Sequence, residues 1–276
     1  MHMIYVAHML IWIPMIFRNC AVFFARVSSP QGVVVLSAGD VKQAEFMRIA
    51  EKKLRDLPVA SAIEMRSSHF RSGETVFVEP PSDKKLSLPE QPVGLIARFQ
   101  AVPESSPMRF AFSVLCNMLS SGLDSPLMTE LREKRGLVYG IRAGADLWGN
   151  DGNIQFSMNT SRSNIEQSAR VLADTLGAYR TYLTPERFER TRASVLFAFA
   201  DQIEAPDDWA HRAVNDLRVH GRVRDYAEMV DGYRGITLFD VHRAAEIAFG
   251  KSPFVAVQGP VEGLEFKPVF DRALKL

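Results

Sequence analysis

The chain has 276 residues, 47% hydrophobic and 24% charged, with a formal net charge of +1. That length supplies enough core for stability without crosslinks, and the near-neutral charge excludes an electrostatic case for nucleic acid or an anionic membrane surface. The two cysteines, Cys20 and Cys116, are too few for a disulfide framework and lack metal-ligand spacing.

The chain opens on an apolar stretch, Met3 to Phe17, interrupted only by His8 and broken at Pro14. It is short for a membrane span, which needs about 20 apolar residues. A secretory signal would want a basic start and a small-residue cleavage site, where this chain has His2 and Arg18-Asn19-Cys20. The reading favoured over a weak insertion or a signal-like anchor is a start placed inside a longer ancestral gene. No compartment follows; for a bacterial protein the cytoplasm and the periplasm both stay open.

Val33 to Leu36 is a short buried-strand run, and Asp40 is placed to cap a helix over Val41 to Leu57 that carries Phe46, Ile49 and Leu54 on one side. Leu57-Pro58 ends it, and the polar run from Ser61 to Gly73 reads as a linker. Strands are predicted over Thr75 to Val78 and Val93 to Phe99, separated by the Pro80-Pro81-Ser82-Asp83 turn and the Lys84-Lys85 pair, which reads as solvated.

Pro107 to Leu119 reads as an apolar helix containing Cys116, for which a buried, inert thiol is the default. A second helix is predicted over Ser125 to Arg135, with Gly136 as its C-terminal cap, and then a strand over Leu137 to Ala143. Asn150-Asp151-Gly152-Asn153 is a hairpin turn, and Ile154, Phe156 and Met158 alternate with polar residues as a half-buried strand requires. Ile165 to Leu183 has helical spacing. Thr184-Pro185 opens a further helix, others fit Asp207 to Val219 and Leu238 to Phe249, and Phe254 to Val257 is the last strand. This order predicts α+β, a mainly antiparallel sheet with helices packed on one face.

One run stands out: Leu131-Arg132-Glu133-Lys134-Arg135-Gly136-Leu137-Val138-Tyr139. With Ser125-Pro126-Leu127 before it, and with weaker support from Gly39-Asp40-Val41, Asp151-Gly152, Asp240-Val241 and Val257-Gln258-Gly259, it resembles the insulinase, pitrilysin and mitochondrial-processing-peptidase family of zinc metallopeptidases. The resemblance implies three regions: 1–25 an apolar terminal segment, 26–73 a remnant of the family's first αβ half plus linker, and 74–276 its second αβ half. Two departures stand against it. The turn Ser120-Ser121-Gly122 is poorer in glycine than the family's, and the zinc motif His-x-x-Glu-His occurs nowhere, none of the six histidines (His2, His8, His69, His211, His220, His242) standing in it.

The resemblance therefore implies a chain that binds no metal or cofactor itself and meets a zinc-bearing subunit of the same family, with a peptide as substrate. Arg132 and Tyr139 would be its catalytic contribution, binding substrate and stabilising the oxyanion. A tyrosine hydroxyl aimed at the attacked carbonyl oxygen donates where negative charge builds, and an arginine fork holds peptide carbonyls or a carboxylate. The alternatives are an inactive scaffold or binding subunit, a truncated remnant of a full-length peptidase, and a separate metal hydrolase built on His211, His220 or His242.

Periodicity alone gives blander readings. Tyr139 would share a strand face with Leu137 and Ile141 as a core tyrosine, and Arg132 would be an exposed helix residue. Glu133, Lys134 and Arg135 read as a solvated helix end. His242 and Glu246, at i and i+4, read as a surface polar pair, since two ligands without a third make no zinc site. Asp207-Asp208 suits a helix start by its charge alone.

Overall fold

Strands assemble here because each buries one face. Val93, Leu95, Ala97 and Phe99 alternate inward with no measurable exposure, and Ile154, Phe156 and Met158 are likewise buried on the neighbouring strand. The computed structural model describes residues 35–37, 39–55, 70–78, 92–148, 151–201, 206–259, 261 and 264–276, with the side chains of 201–207 outside the description. Two compact units emerge, one of Met1–Ser67 with Ala200–Arg224, the other of Ser68–Phe199 with Asp225–Leu276.

The second unit holds the sheet. Its strands are β1 (Thr75–Val78), β2 (Val93–Gln100), β3 (Ile141–Leu147), β4 (Gly152–Thr160) and β5 (Phe254–Gln258), in the order β1-β5-β2-β4-β3. β1 runs parallel to β5 and every other pair is antiparallel. The last strand thus enters the middle of the sheet, not an edge. Register sets Leu95 opposite both Met158 and Val257, so the inward rows meet across three strands.

Helices cover that inward face. α2 (Arg109–Ser120) buries Phe112, Leu115, Met118 and Leu119, α4 (Ile165–Gly177) buries Ala169, Leu172 and Leu176, and α9 (Leu238–Phe249) buries Val241, Ala244 and Ala248. Phe99 is the centre, with Phe249, Phe156 and Phe270 around it at 5.2, 5.8 and 6.0 Å between ring centroids, all edge-on. Such contacts add about 0.5–1.5 kcal/mol each beyond burial. Cys116 is buried on α2, and burial pushes its thiol up to about 12.

Several boundaries differ from those predicted. Val35 and Leu36 lie outside any strand, Val33 and Val34 being outside the described residues. The first helix, α1 (Gln43–Leu54), starts after Lys42, which makes no side-chain cap bond, so Asp40 is not the cap. The residues Ile165 to Leu183 break into α4 and a short α5 (Tyr179–Tyr182). The break follows Gly177, where a Cβ would stand 2.2 Å from the backbone oxygen of Ala273 on α10 (Lys267–Leu274). α6 (Pro185–Asp201) begins where expected, with Thr184 Oγ1 accepting from the Arg187 N–H at 3.3 Å. Two helices were not predicted: α8 (Tyr226–Gly235) and α10.

In the first unit, α7 (Pro206–His220) ends at Gly221, whose φ is +68°. The chain folds back so that Arg224 grips Asp216, donating from Nε at 2.9 Å and from a terminal nitrogen at 2.6 Å to the same carboxylate oxygen. Among the described residues, no helix is long and apolar enough to cross a membrane.

Candidate functional site

The run that carried the resemblance is built as a chain of stops. α2 ends at Ser120, and Gly122 turns the backbone with φ +87°. Arg187 donates to the Asp124 carbonyl and Arg190 to its carboxylate, tying this turn to the start of α6. Pro126 then opens α3 (Pro126–Met128), one turn long, which widens into a π turn over Thr129–Glu133. The expected helix over Ser125 to Arg135 is thus a hybrid.

Its exit is wider by the same one residue. Lys134 N–H reaches Thr129 O at 2.9 Å, Gly136 N–H reaches Arg132 O at 2.8 Å, and Leu137 N–H reaches Leu131 O at 2.8 Å. The last two spans each exceed those of a Schellman ending by one position. Gly136 carries the left-handed φ of +60° that this ending needs. Glu130 closes the turn from outside, accepting from Lys134 at 2.7 Å and Arg135 at 2.6 Å. Those two bonds, Lys134's first, hold its carboxyl below the usual range. The basic helix end is therefore engaged rather than merely solvated.

Past Gly136 the backbone is pinned and then released. Leu137 and Val138 are both buried, and Thr160 donates to the Leu137 carbonyl at 2.6 Å. Two consecutive buried side chains are incompatible with strand alternation, so the strand starts only at Ile141, not at Leu137. Tyr139 emerges between them 87% exposed, which removes the core-tyrosine reading. The Arg132 guanidinium lies 5.1 Å from the Tyr139 ring centroid, with its Nε 3.6 Å from Glu133. An exposed cation–π contact of this kind contributes about 0.5–1 kcal/mol, enough to bias the two side chains toward each other.

Of the other candidates, His242 buries its Nδ1 with no hydrogen-bond partner among the described residues. Glu246 pairs with Arg180 at 2.8 Å, and the His242 ring sits 6.3 Å from that of Tyr179. His211 and His220 both lie on α7, in the first unit. Among the described residues no group of three or more His, Cys, Asp or Glu is gathered to hold a metal, so these donors do not fit a zinc ion. Asp208 is exposed at the start of α7, and Gly39, Asp40 and Val41 are exposed. Cys20, His2, His8, His69, Lys84, Lys85 and Asn150 lie outside the described residues.

Sequence reading missed a second feature. On the sheet face away from the helices, Arg98, Trp148, Asn153 and Phe254, with Phe70 and Asp151, line a cleft of about 290 Å³. The one signal for it was an arginine on the outward side of an otherwise apolar strand.

Residues 22–195 match the model of a family described as the peptidase M16 inactive domain. The chain belongs to that family. Among curated relatives, the M16 chain is 24% identical over 242 residues to an uncharacterized zinc protease of Mycobacterium leprae (strain TN), covering 86% of this chain and 53% of the relative. It is 22% identical over 256 residues to an uncharacterized zinc protease of Streptomyces coelicolor, covering 90% and 54%. The chain thus spans about half the length of the curated relatives it matches. Its fold is shared with a peptidase M16 inactive domain from Pseudomonas fluorescens (TM-score 0.61, 17% identity, 81% of this chain and 52% of that one). It is shared also with a protease from Helicobacter pylori (0.68, 14%, 89% and 59%). A chain of complex III2 from Candida albicans has the same fold (0.69, 12%, 85% and 57%). The metallopeptidase family and the α+β architecture expected from the sequence both stand.

Proposed function

We propose that this chain acts as the non-zinc half of a composite metalloendopeptidase, with Arg132 and Tyr139 serving a peptide held against a zinc-bearing subunit of the same family. The observation that carries this reading is the exposed Tyr139 with the Arg132 guanidinium against its ring. A tyrosine this open, held by a pinned backbone on one side and an arginine on the other, has its hydroxyl available to a ligand. Pre-set donors of this kind act where charge develops, and losing one costs about 10²–10³ in rate.

Arg132 would hold substrate carbonyls through its unused donors while orienting the ring. Activation of the attacking water falls to zinc in the partner, because this sequence has no His-x-x-Glu-His. A phenylalanine at 139 keeps the ring for Arg132 and removes only the hydroxyl. With the zinc-bearing partner, Tyr139→Phe is expected to lower kcat about 100-fold or more, with assembly and zinc content unchanged.

The second reading is a scaffold without chemistry, favoured by the shared fold with a chain of complex III2 from Candida albicans. Equal turnover by the wild-type and Tyr139→Phe assemblies would select it.

A further inference from the structure

We propose that the cleft on the open face of the sheet is a carboxylate-binding subsite, taking the terminal or acidic side-chain carboxylate of a peptide. The identity of the ligand as a peptide rests on the function proposed above; the carboxylate chemistry rests on the cleft.

Arg98 is the centre of the argument. Its strand neighbours Ala97 and Phe99 face the core, which turns Arg98 to the open face between Gln155 of β4 and Phe254 of β5. Its hydrogen bond runs to Gln155 Oε1 at 3.2 Å, a neutral acceptor. Among the described residues no carboxylate pairs with it. Asp151, which also lines the cleft, accepts the Gly152 N–H at 2.8 Å instead. Arg71 at the rim pairs loosely with Glu74 at 3.7 Å. A half-buried guanidinium whose hydrogen bond goes to a neutral acceptor has lost water without forming an ion pair, and its planar fork matches a carboxylate.

Asn153 adds the second determinant. Its Oδ1 is buried at the cleft with no hydrogen-bond partner among the described residues. A carboxamide in that state complements a peptide amide, which offers one donor and one acceptor. Phe70, Trp148 and Phe254 supply apolar surface beside Arg98. The cleft stands at the Leu147 end of β3, a strand length of about 20 Å from the end nearest Tyr139, so it is separate from the Arg132–Tyr139 pair.

The test follows the indole N–H signal of Trp148 by NMR on the full chain, assigned through Trp148→Phe. N-acetylglycine is titrated first, then peptides with a free or amidated C-terminus, and peptides with an internal aspartate or asparagine. The carboxylate ligands are expected to shift the signal and bind at least 10-fold tighter than their neutral counterparts. Arg98→Gln should abolish that preference and Arg98→Lys should restore part of it. A preference for the free terminus or for internal aspartate identifies the source, and either supports the site. If N-acetylglycine binds through Arg98 while no peptide does, the carboxylate site stands and the peptide reading falls. Peptides binding without moving Trp148, or equal binding of acid and amide forms, overturns the proposal.

Discussion

Glu130 accepts from two cations at once, and through them it closes the π turn on which Arg132 sits. Its side chain is 14% exposed while those of Lys134 and Arg135 are 58% and 38% exposed, so solvent screening limits the pair of bonds to about 1 kcal/mol. The sign of its pH dependence follows from the direction of the shift. The folded state holds the carboxyl below its ordinary value of 4.5, so its contribution is complete above that pH and disappears as pH falls through the depressed folded value. Glu130→Gln cannot titrate. Thermal melts of the two proteins should differ by a constant amount above about pH 5 and converge on acidification. A gap that stays constant down to the acid limit would show that the clamp is steric rather than ionic.

At the scale of elements, close approach decides what propensity does not. Helix propensity alone favours alanine over Gly177 by about 1 kcal/mol. Yet a Cβ there would meet the Ala273 carbonyl oxygen at 2.2 Å and its carbon at 3.0 Å, and α10 would have to move. Gly177→Ala is therefore expected to destabilise by about 1–3 kcal/mol, read as a lowered urea midpoint; a raised midpoint would mean that α10 does not dock on α4 this way.

The same competition explains which elements were legible in the sequence. β2, β4, α2 and α9 were readable because each carries one strong period of buried residues, and α9 has a Thr237–Asp240 capping box as well. α8 buries no residue, which leaves periodicity nothing to follow. The π turn was invisible because its extra residue belongs to backbone hydrogen bonding, not to side-chain pattern. Arg132 and Tyr139 were singled out as candidates through a nine-residue run whose chemistry was read by resemblance. Periodicity alone would bury Tyr139, since Leu137, Tyr139 and Ile141 mimic a strand face, but Leu137 and Val138 are both buried and Tyr139 is exposed.

For the whole molecule, the two compact units carry different kinds of interior. The second is organised around the aromatic cluster at Phe99, and the first holds a buried ion pair. Asp216 and Arg224 are 1% and 5% exposed at their side chains, and Arg212 adds a bond to the Arg224 carbonyl at 3.0 Å. Breaking a buried pair from one side typically costs about 3–5 kcal/mol, because the remaining charge is stranded. Asp216→Asn keeps the shape and removes the charge, so its effect reads the loss of the ionic contacts that Asp216 makes with Arg224 and Arg212. Compact units with separate interiors open with separate free energies. Hydrogen exchange of this variant should therefore accelerate in α7, while β2, β4 and α2 keep wild-type protection. Loss of protection spreading equally through the Phe99 core would mean that the two units unfold as one cooperative body. In that case the Arg132–Tyr139 pair would depend on the first unit for its stability.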